Sequence, residues 1–400
     1  MPEDQELQVE QGKETEGAVA AAEPVAMPGV GALLRGEWSF FVSVATAAIF
    51  WSEGGEWFAD APSGGTLILL TVWLFVVVMA SAFAVVRHAD ALAIQLGEPY
   101  GTLVLTLSVI SIEVMMISAV MLTGSDNPTL ARDTMYAVVM IVLNGMVGLN
   151  LLLGGIRHHE QEYNLQGANA FLAVILPLAV ICLILPNFTR STSGPTLSTL
   201  QEVFVAISSL ALYGVFLAVQ TVQHRSYFLA PNLSNDPSRP DFEDEHPGLS
   251  LMPTHVHAAL LVAYLLPIVL LSKKLAYPID IAIDRFGAPV AFGGFLVAIL
   301  VLSPEVLSAT RAALANRLQR SVNIFLGSVT ATIALTVPAV LTISLLTGRQ
   351  IELGLNGVDS VLLILTLGVC VVTFGSGRTN VLQGAVHLLL FGAYVMLLFD

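Results

Sequence analysis

Leu107-Ser108-Val109-Ile110-Ser111-Ile112-Glu113-Val114 and Leu300-Val301-Leu302-Ser303-Pro304-Glu305-Val306 are one short signature written twice. Each places Ser-x-Glu-Val deep inside an apolar run. Glu113 and Glu305 are the only acidic residues near the middle of any such run. Each is followed by a second apolar segment carrying small and polar residues. After Glu113 it is Asn144-Gly145-Met146-Val147-Gly148-Leu149-Asn150. After Glu305 it is Asn323-Ile324-Phe325-Leu326-Gly327-Ser328-Val329-Thr330-Ala331-Thr332.

The surroundings of these stretches set the fold class. The 400 residues are 55% hydrophobic and 12% charged, where a soluble domain is about a quarter charged. The mean hydropathy is +0.79. Several runs reach the length of about 20 residues that crosses a hydrocarbon core. Eleven apolar segments are read, at 37–52, 66–86, 102–122, 135–155, 168–187, 199–221, 254–272, 288–310, 322–346, 359–376 and 380–399. Lipid offers the backbone no hydrogen-bond partner, so such runs span as helices. The expected fold is an all-α integral membrane protein of about eleven transmembrane helices.

The polar stretches divide the chain. Residues 1–36 read as a flexible acidic tail, with seven acids and one Lys in the first 25 residues. An acidic start lacks the basic n-region of a signal peptide. Residues 37–53 hold a peripheral helix, 66–222 a first group of five and 254–400 a second. Between the groups, 223–253 is a polar loop carrying the acidic cluster Asp241-Phe242-Glu243-Asp244-Glu245-His246. A repeat unit with an odd number of spans forces its two copies to be inverted in the membrane. With the N-terminus in the cytoplasm, ten Lys and Arg fall inside and six outside, the bias expected of that orientation.

An ionised carboxylate in hydrocarbon costs several kcal/mol, so such a residue faces a cavity or a partner. Two meeting at the midplane repel each other. Either protons or a cation can neutralise them, and mutually exclusive fillings of a site facing one side at a time give exchange. Two carboxylates match one Ca²⁺ against two H⁺. Ca²⁺ takes six to eight oxygens, and Thr106, Ser111, Asn144, Asn150, Ser303, Asn323, Ser328 and Thr332 offer side-chain oxygens. Pro304 removes a backbone donor and is expected to break the helix just before Glu305.

Other readings compete. Small polar residues also glue membrane helices together, and Gly145, Gly148 and Gly327 fit close packing. Arg157-His158-His159-Glu160 reads as a solvated helix end; His88 and His387 lie at or within spans and could relay protons, but His88 reads rather as a membrane-edge residue and His387 as a packed one. The acidic cluster 241–246 lacks EF-hand spacing. Cys182 and Cys370 give no disulfide framework or metal spacing. Neither a His-Glu-x-x-His motif, a Gly-x-Ser-x-Gly elbow nor an ATP-binding motif is present, so neither enzyme nor pump is indicated. No basic footprint for nucleic acid is present. A channel stays open as an alternative.

Leu96-Gly97-Glu98-Pro99-Tyr100-Gly101-Thr102-Leu103-Val104-Leu105-Thr106-Leu107-Ser108, running into Glu113, resembles the first signature of the ChaA-type bacterial calcium (sodium, potassium)/proton antiporters. Leu302-Ser303-Pro304-Glu305, Arg311-Ala312-Ala313-Leu314-Ala315-Asn316 and the stretch from Asn323 to Pro338 resemble the second. Gly377-Arg378-Thr379-Asn380-Val381-Leu382-Gln383-Gly384 resembles their tail. The likeness spans about residues 87–400 without the 225–253 loop. It implies the cation/Ca²⁺ exchanger superfamily: ten core helices in two inverted five-helix repeats plus one N-terminal helix, in a bacterial inner membrane. It implies Glu113 and Glu305 as metal ligands and proton carriers, with cation and proton ligands drawn from Asn144, Asn150, Ser303, Asn323 and Ser328. The transported partners are then H⁺ and Ca²⁺, Na⁺ or K⁺, with no cofactor. Related eukaryotic-type Ca²⁺/H⁺ exchangers carry an Asn-Ala-Thr-Glu-like signature where this chain has Ile110-Ser111-Ile112-Glu113. The missing Asn and Thr keep open a monovalent-only Na⁺ or K⁺/H⁺ antiporter.

Overall fold

The structure, a computed structural model, describes residues 29–59, 63–96, 100–123, 128–231, 252–289 and 291–399. The acidic tail through residue 28 and the cluster 241–246 lie outside the described residues. A short helix, Val30–Gly36, leads into α1 (Trp38–Ser52). Next come α2 (Gly64–Leu96), α3 (Tyr100–Thr123), α4 (Leu130–His158), α5 (Leu165–Leu183) and α6 (Thr199–Gln223). The second group is α7 (Thr254–Phe286), α8 (Ala291–Leu314), α9 (Leu318–Thr347), α10 (Gly357–Thr373) and α11 (Val381–Leu397). Among the described residues seven helices are long and apolar enough to cross a membrane, and four shorter apolar helices accompany them. The apolar segments of the sequence thus become helices, as lipid requires.

Side-chain caps start several of them. Asn164 Oδ1 accepts from the Gln166 amide at 3.0 Å ahead of α5, and Asn356 Oδ1 accepts from the Asp359 amide at 2.8 Å ahead of α10. Asn380 caps α11, and Gln383 Oε1 returns the bond by accepting from the Asn380 amide at 2.8 Å. Such caps satisfy amides that have no partner within the helix. One departure from an all-helical chain is a two-residue antiparallel ladder, Gln161 and Glu162 against Thr379 and Arg378. It ties the approach to α5 to the approach to α11.

Glycines set the tightest crossings. A Cβ on Gly384 would lie 2.4 Å from the Leu152 amide nitrogen, and one on Gly148 2.8 Å from that of Leu388. α4 and α11 therefore touch backbone to backbone, as small residues permit in membranes. A Cβ on Gly294 would lie 2.8 Å from the Thr134 nitrogen, so α8 crosses α4 with similar intimacy. Gly145 is close packed against Phe391, whereas Gly327 makes only ordinary contact with Phe171.

The apolar side chains form two clusters. One gathers α4, α5, α6, α9, α10 and α11, with Met135, Phe171, Phe325 and Phe374 fully buried in it. The other gathers α1, α2 and α7, with Phe50, Leu74 and Tyr264 buried. α3 and α8 contribute to both. Ile110, Ile117, Ala298 and Leu302 belong to the first cluster; Ile112, Met116, Leu300 and Val301 belong to the second. The two glutamate helices thus lie along the seam between two packing units.

The expected break at Pro304 is not found. α8 runs unbroken from Ala291 to Leu314 through Pro304. One lost amide donor does not end a helix whose neighbours hold it on both sides. Besides a π turn that ends α6 at Val219–Gln223, the irregular backbone lies in α4 and α9, as π-helical turns at Ile141–Met146 and Thr332–Thr336. These occur at corresponding places: 141 is 28 residues beyond Glu113, and 332 is 27 beyond Glu305. The matched irregularity is the structural counterpart of the repeated signature.

Candidate two-glutamate site

Glu113 sits on α3 with 2% of its surface exposed. Two hydroxyls from α9 reach it across the seam. Thr332 Oγ1 donates to Oε2 at 2.8 Å, and Thr336 Oγ1 donates to Oε1 at 3.1 Å. The two threonines are the first and last residues of the π turn. In a regular α-helix, residues four apart lie one above the other with little change of angle. The wider turn brings both hydroxyls to the two oxygens of one carboxylate. Turns of this kind recur at functional sites because they re-aim side chains.

Glu305 sits on α8, close enough to Glu113 for the two charges to repel, with the Ser328 hydroxyl of α9 also nearby. Its Oε2 is buried and has no hydrogen-bond partner among the described residues. Buried acceptors are nearly always satisfied, so an orphaned carboxylate oxygen marks a place for a proton or a cation. Asn144 lies in the π turn of α4. Its Nδ2 donates to Thr366 Oγ1 at 2.9 Å, while its Oδ1 is buried and unpartnered. Both polar atoms of Asn150 are likewise buried and unpartnered. α4 packs directly against α8, the helix of Glu305.

Other residues expected at the site are placed elsewhere. Ser303 and Ser111 turn their hydroxyls onto their own helices, Ser303 to the Ile299 carbonyl at 2.6 Å and Ser111 to the Leu107 carbonyl at 2.5 Å. Asn323 is not brought to the glutamates. Its Nδ2 donates to the Phe228 carbonyl at 2.8 Å, and its Oδ1 accepts from Gln319 Nε2 at 2.8 Å. Nine residues separate it from Thr332, about 13 Å along a helix. The Thr106 side chain lies outside the described ones. Thr336 and Thr366 were missed, because a threonine in a membrane helix carries no signal of its own. Pro338, two residues past the π turn, was the available hint, since it removes the amide that would otherwise bond the Ala334 carbonyl.

His387 is packed as expected, its Nε2 paired with Thr373 Oγ1 at 2.9 Å. His158 pairs through Nε2 with the Leu314 carbonyl at 3.0 Å at the end of α4. His88 is fully buried, against Glu37 and His257. Cys182 and Cys370 are both buried free thiols. Among the described residues no group of three or more His, Cys, Asp or Glu is placed to hold a metal ion. The seam thus carries two carboxylates and neutral oxygens, donors of the kind that hard cations take.

The two glutamate helices lie together at that seam, in a fold built of apolar helices long enough to span a membrane. The sodium/calcium exchanger protein family matches residues 66–222 and 256–399, and the chain belongs to it. It is 44% identical over 334 residues to the sodium-potassium/proton antiporter ChaA of Escherichia coli (strain K12), covering 83% of this chain and 89% of that one. It is 45% identical over 318 residues to the putative ionic transporter y4hA of Sinorhizobium fredii (strain NBRC 101917 / NGR234), covering 79% and 85%. Among solved structures, native YfkE superposes with a TM-score of 0.68 at 18% identity, covering 90% of this chain and 99% of that one. This likeness bears out the helical membrane fold.

Proposed function

We propose that the chain is a secondary antiporter that exchanges Ca²⁺, Na⁺ or K⁺ for H⁺ at Glu113 and Glu305, by alternating access. The observation that carries this reading is the central pair itself. Glu113 accepts two hydroxyl bonds from α9, while the neighbouring Glu305 keeps a buried oxygen without a partner. Two like charges in a medium of low dielectric repel strongly. Proton uptake or cation binding relieves that repulsion, and either filling removes the need for the other. Asn144, Asn150 and Ser328 supply further oxygens to the bound cation. Residues 66–222 and 254–400 are read as inverted repeats, with the N-terminus in the cytoplasm of a bacterium and the protein in its inner membrane.

The seam gives the exchange its moving part. Two packed units change shape less readily than they shift against each other. A shift of the α1–α2–α7 unit against the rest, along the seam that α3 and α8 line, changes the side to which the carboxylates are open.

A monovalent-only exchanger is the second reading. Ser111 and Ser303 spend their hydroxyls within their own helices, and Ile112 and Pro304 flank the glutamates without donor atoms. Few oxygens then remain for the six to eight that Ca²⁺ takes. The relative named a sodium-potassium/proton antiporter supports this alternative.

The test is reconstitution in liposomes with an imposed pH gradient and an internal pH dye. Ca²⁺, Na⁺ and K⁺ are added separately, with Glu113→Gln and Glu305→Gln as controls. Collapse of the gradient by Ca²⁺, lost in either variant, supports the leading reading. Collapse by Na⁺ or K⁺ alone selects the second. Proton flux in both variants at the wild-type rate overturns both.

A further inference from the structure

A second group of ionisable side chains is buried without a hydrogen bond to either glutamate among the described residues. It lies where α1, α2 and α7 meet, at the membrane face from which α7 begins. Glu37 precedes α1, Arg87 and His88 belong to α2, and His257 and Tyr264 to α7. His88 and Tyr264 are fully buried, and Glu37 and His257 nearly so. Arg87 Nη2 stands 2.6 Å from Glu37 Oε2, Tyr264 donates to the same oxygen at 2.9 Å, and His88 Nε2 lies 3.2 Å from it. Ser39 Oγ is 2.8 Å from the Tyr264 hydroxyl. Three donors on one oxygen require a carboxylate that carries no proton there.

The two histidines have only one consistent neutral arrangement. The Met252 amide donates to His257 Nε2 at 3.0 Å, so that nitrogen is bare. The neutral ring then carries its proton on Nδ1. That proton points at His88 Nδ1, 2.9 Å away. His88 Nδ1 is therefore the acceptor, and its own proton sits on Nε2, facing Glu37. All four ring nitrogens are used. The chain of bonds runs from the Met252 backbone through both rings to Glu37. Gln95 Nε2 also donates to the Met252 carbonyl at 2.5 Å, fixing the same residue.

This arrangement has no room for one more proton. On His257 Nε2 it would face the Met252 amide, donor against donor. On His88 Nδ1 it would face the proton of His257. Either uptake breaks one link of the chain. The groups that face the rings are Glu37 from the α1 side, Arg87 on α2 at 3.5 Å from His88 Nε2, and Tyr264 on α7. Asp90, half-buried on α2, and His255, exposed on α7, stand within a turn. Glu37 favours the added charge and Arg87 opposes it.

We propose that His88 and His257 form a second proton-binding site, separate from the two glutamates, whose protonation frees Met252 at the entrance to α7 and slows exchange when that face is acidic. α2 and α7 both pack on α3, the helix of Glu113. A break between them loosens the unit that must shift as one body, which is how the far site senses the proton. The effect on exchange rests on the antiport reading; the proton-driven release of Met252 does not.

The test uses the full chain with Met252→Cys, labelled by a membrane-impermeant maleimide applied at that face. Cys182 and Cys370 are buried, so background labelling is low. Normalised at each pH to the labelling of a free thiol, whose reactive thiolate fraction falls on acidifying, labelling should rise several-fold between about pH 8 and pH 4, a range wide enough to bring a proton onto a buried imidazole. In a His88→Gln/His257→Gln background it should stay flat, because glutamine keeps an acceptor for Met252 and a donor for Glu37 but gains no proton. Exchange in the wild type should fall on acidifying that face, and the fall should shrink in the double variant. Flat labelling in the parent, or an equal rise in the double variant, overturns the site. An equal fall of exchange in both proteins overturns its regulatory role. Should the double variant fail to fold, His257→Gln alone must reduce the rise, and an unchanged rise overturns the proposal. If no cation exchanges at all, the antiport reading fails while the labelling still decides this one.

Discussion

Replacing Thr332 by Val keeps the β-branched shape and removes the hydroxyl that donates to Glu113 Oε2 at 2.8 Å. A hydrogen bond to a charged group contributes about 1.5–3 kcal/mol. The bond stabilises the ionised carboxylate, which holds the cation, more than the protonated form, which does not need that donor. Each 1.4 kcal/mol is about a factor of ten, so at a fixed moderate pH the apparent cation affinity should fall about 10- to 100-fold. The proton is the competitor, so raising the pH should restore the affinity. Thr336, at 3.1 Å from the other oxygen, should show a smaller change of the same kind. The assay is the cation concentration that half-saturates gradient collapse in liposomes, measured across pH. Unchanged affinity would refute the reasoning. So would a loss of equal size at every pH, since that would make the hydroxyl a direct cation ligand and not a support for the charge of Glu113.

Single contacts set the remaining expected outcomes. Asn323→Ala should leave the half-saturating cation concentration unchanged, because its bonds go to Phe228 and Gln319; thermal unfolding in detergent should show a loss of about 1–2 kcal/mol. Gly384→Ala places a Cβ 2.4 Å from the Leu152 nitrogen, so it should lower the unfolding temperature by an overpacking cost of about 1–3 kcal/mol, and an unaltered temperature would sink the backbone-to-backbone crossing of α4 and α11. Deleting Ile333 takes the extra residue out of the π turn of α9 and leaves Thr332 and Thr336 three apart on a regular helix, about 60° away from a common line; exchange should be lost while the protein still runs as a single species on size exclusion, and retained exchange would show that the turn does not aim the two threonines.

The fold was legible because lipid leaves a chain few options. A long apolar run must close its own hydrogen bonds, and each run read from the sequence became a helix. The ends were less legible. α2 reaches Leu96 where the apolar run stops at 86, because Arg87 and His88 look like an exit from the membrane. Their partners, Glu37 and His257, are 50 and 169 residues away along the chain, and no local pattern announces such a meeting. The glutamates stood out for the opposite reason: a carboxylate inside an apolar run is costly, so it takes a cavity or a partner, if only a neighbouring helix that bonds its protonated form. Their supporters did not. A threonine that aims at a carboxylate and one that bonds its own helix look alike in sequence, as Thr332 and Thr330 do, one donating to Glu113 and the other to the Leu326 carbonyl. What separates them is the backbone turn between Thr332 and Thr336, and that turn depends on how α9 packs at the seam. On the proposed reading, that seam divides the labour of the two proton-binding groups: the glutamates lie on helices where the two units meet, so their occupancy sets which way the units face, and the histidines lie within one unit, so their protonation sets whether that unit moves as a whole.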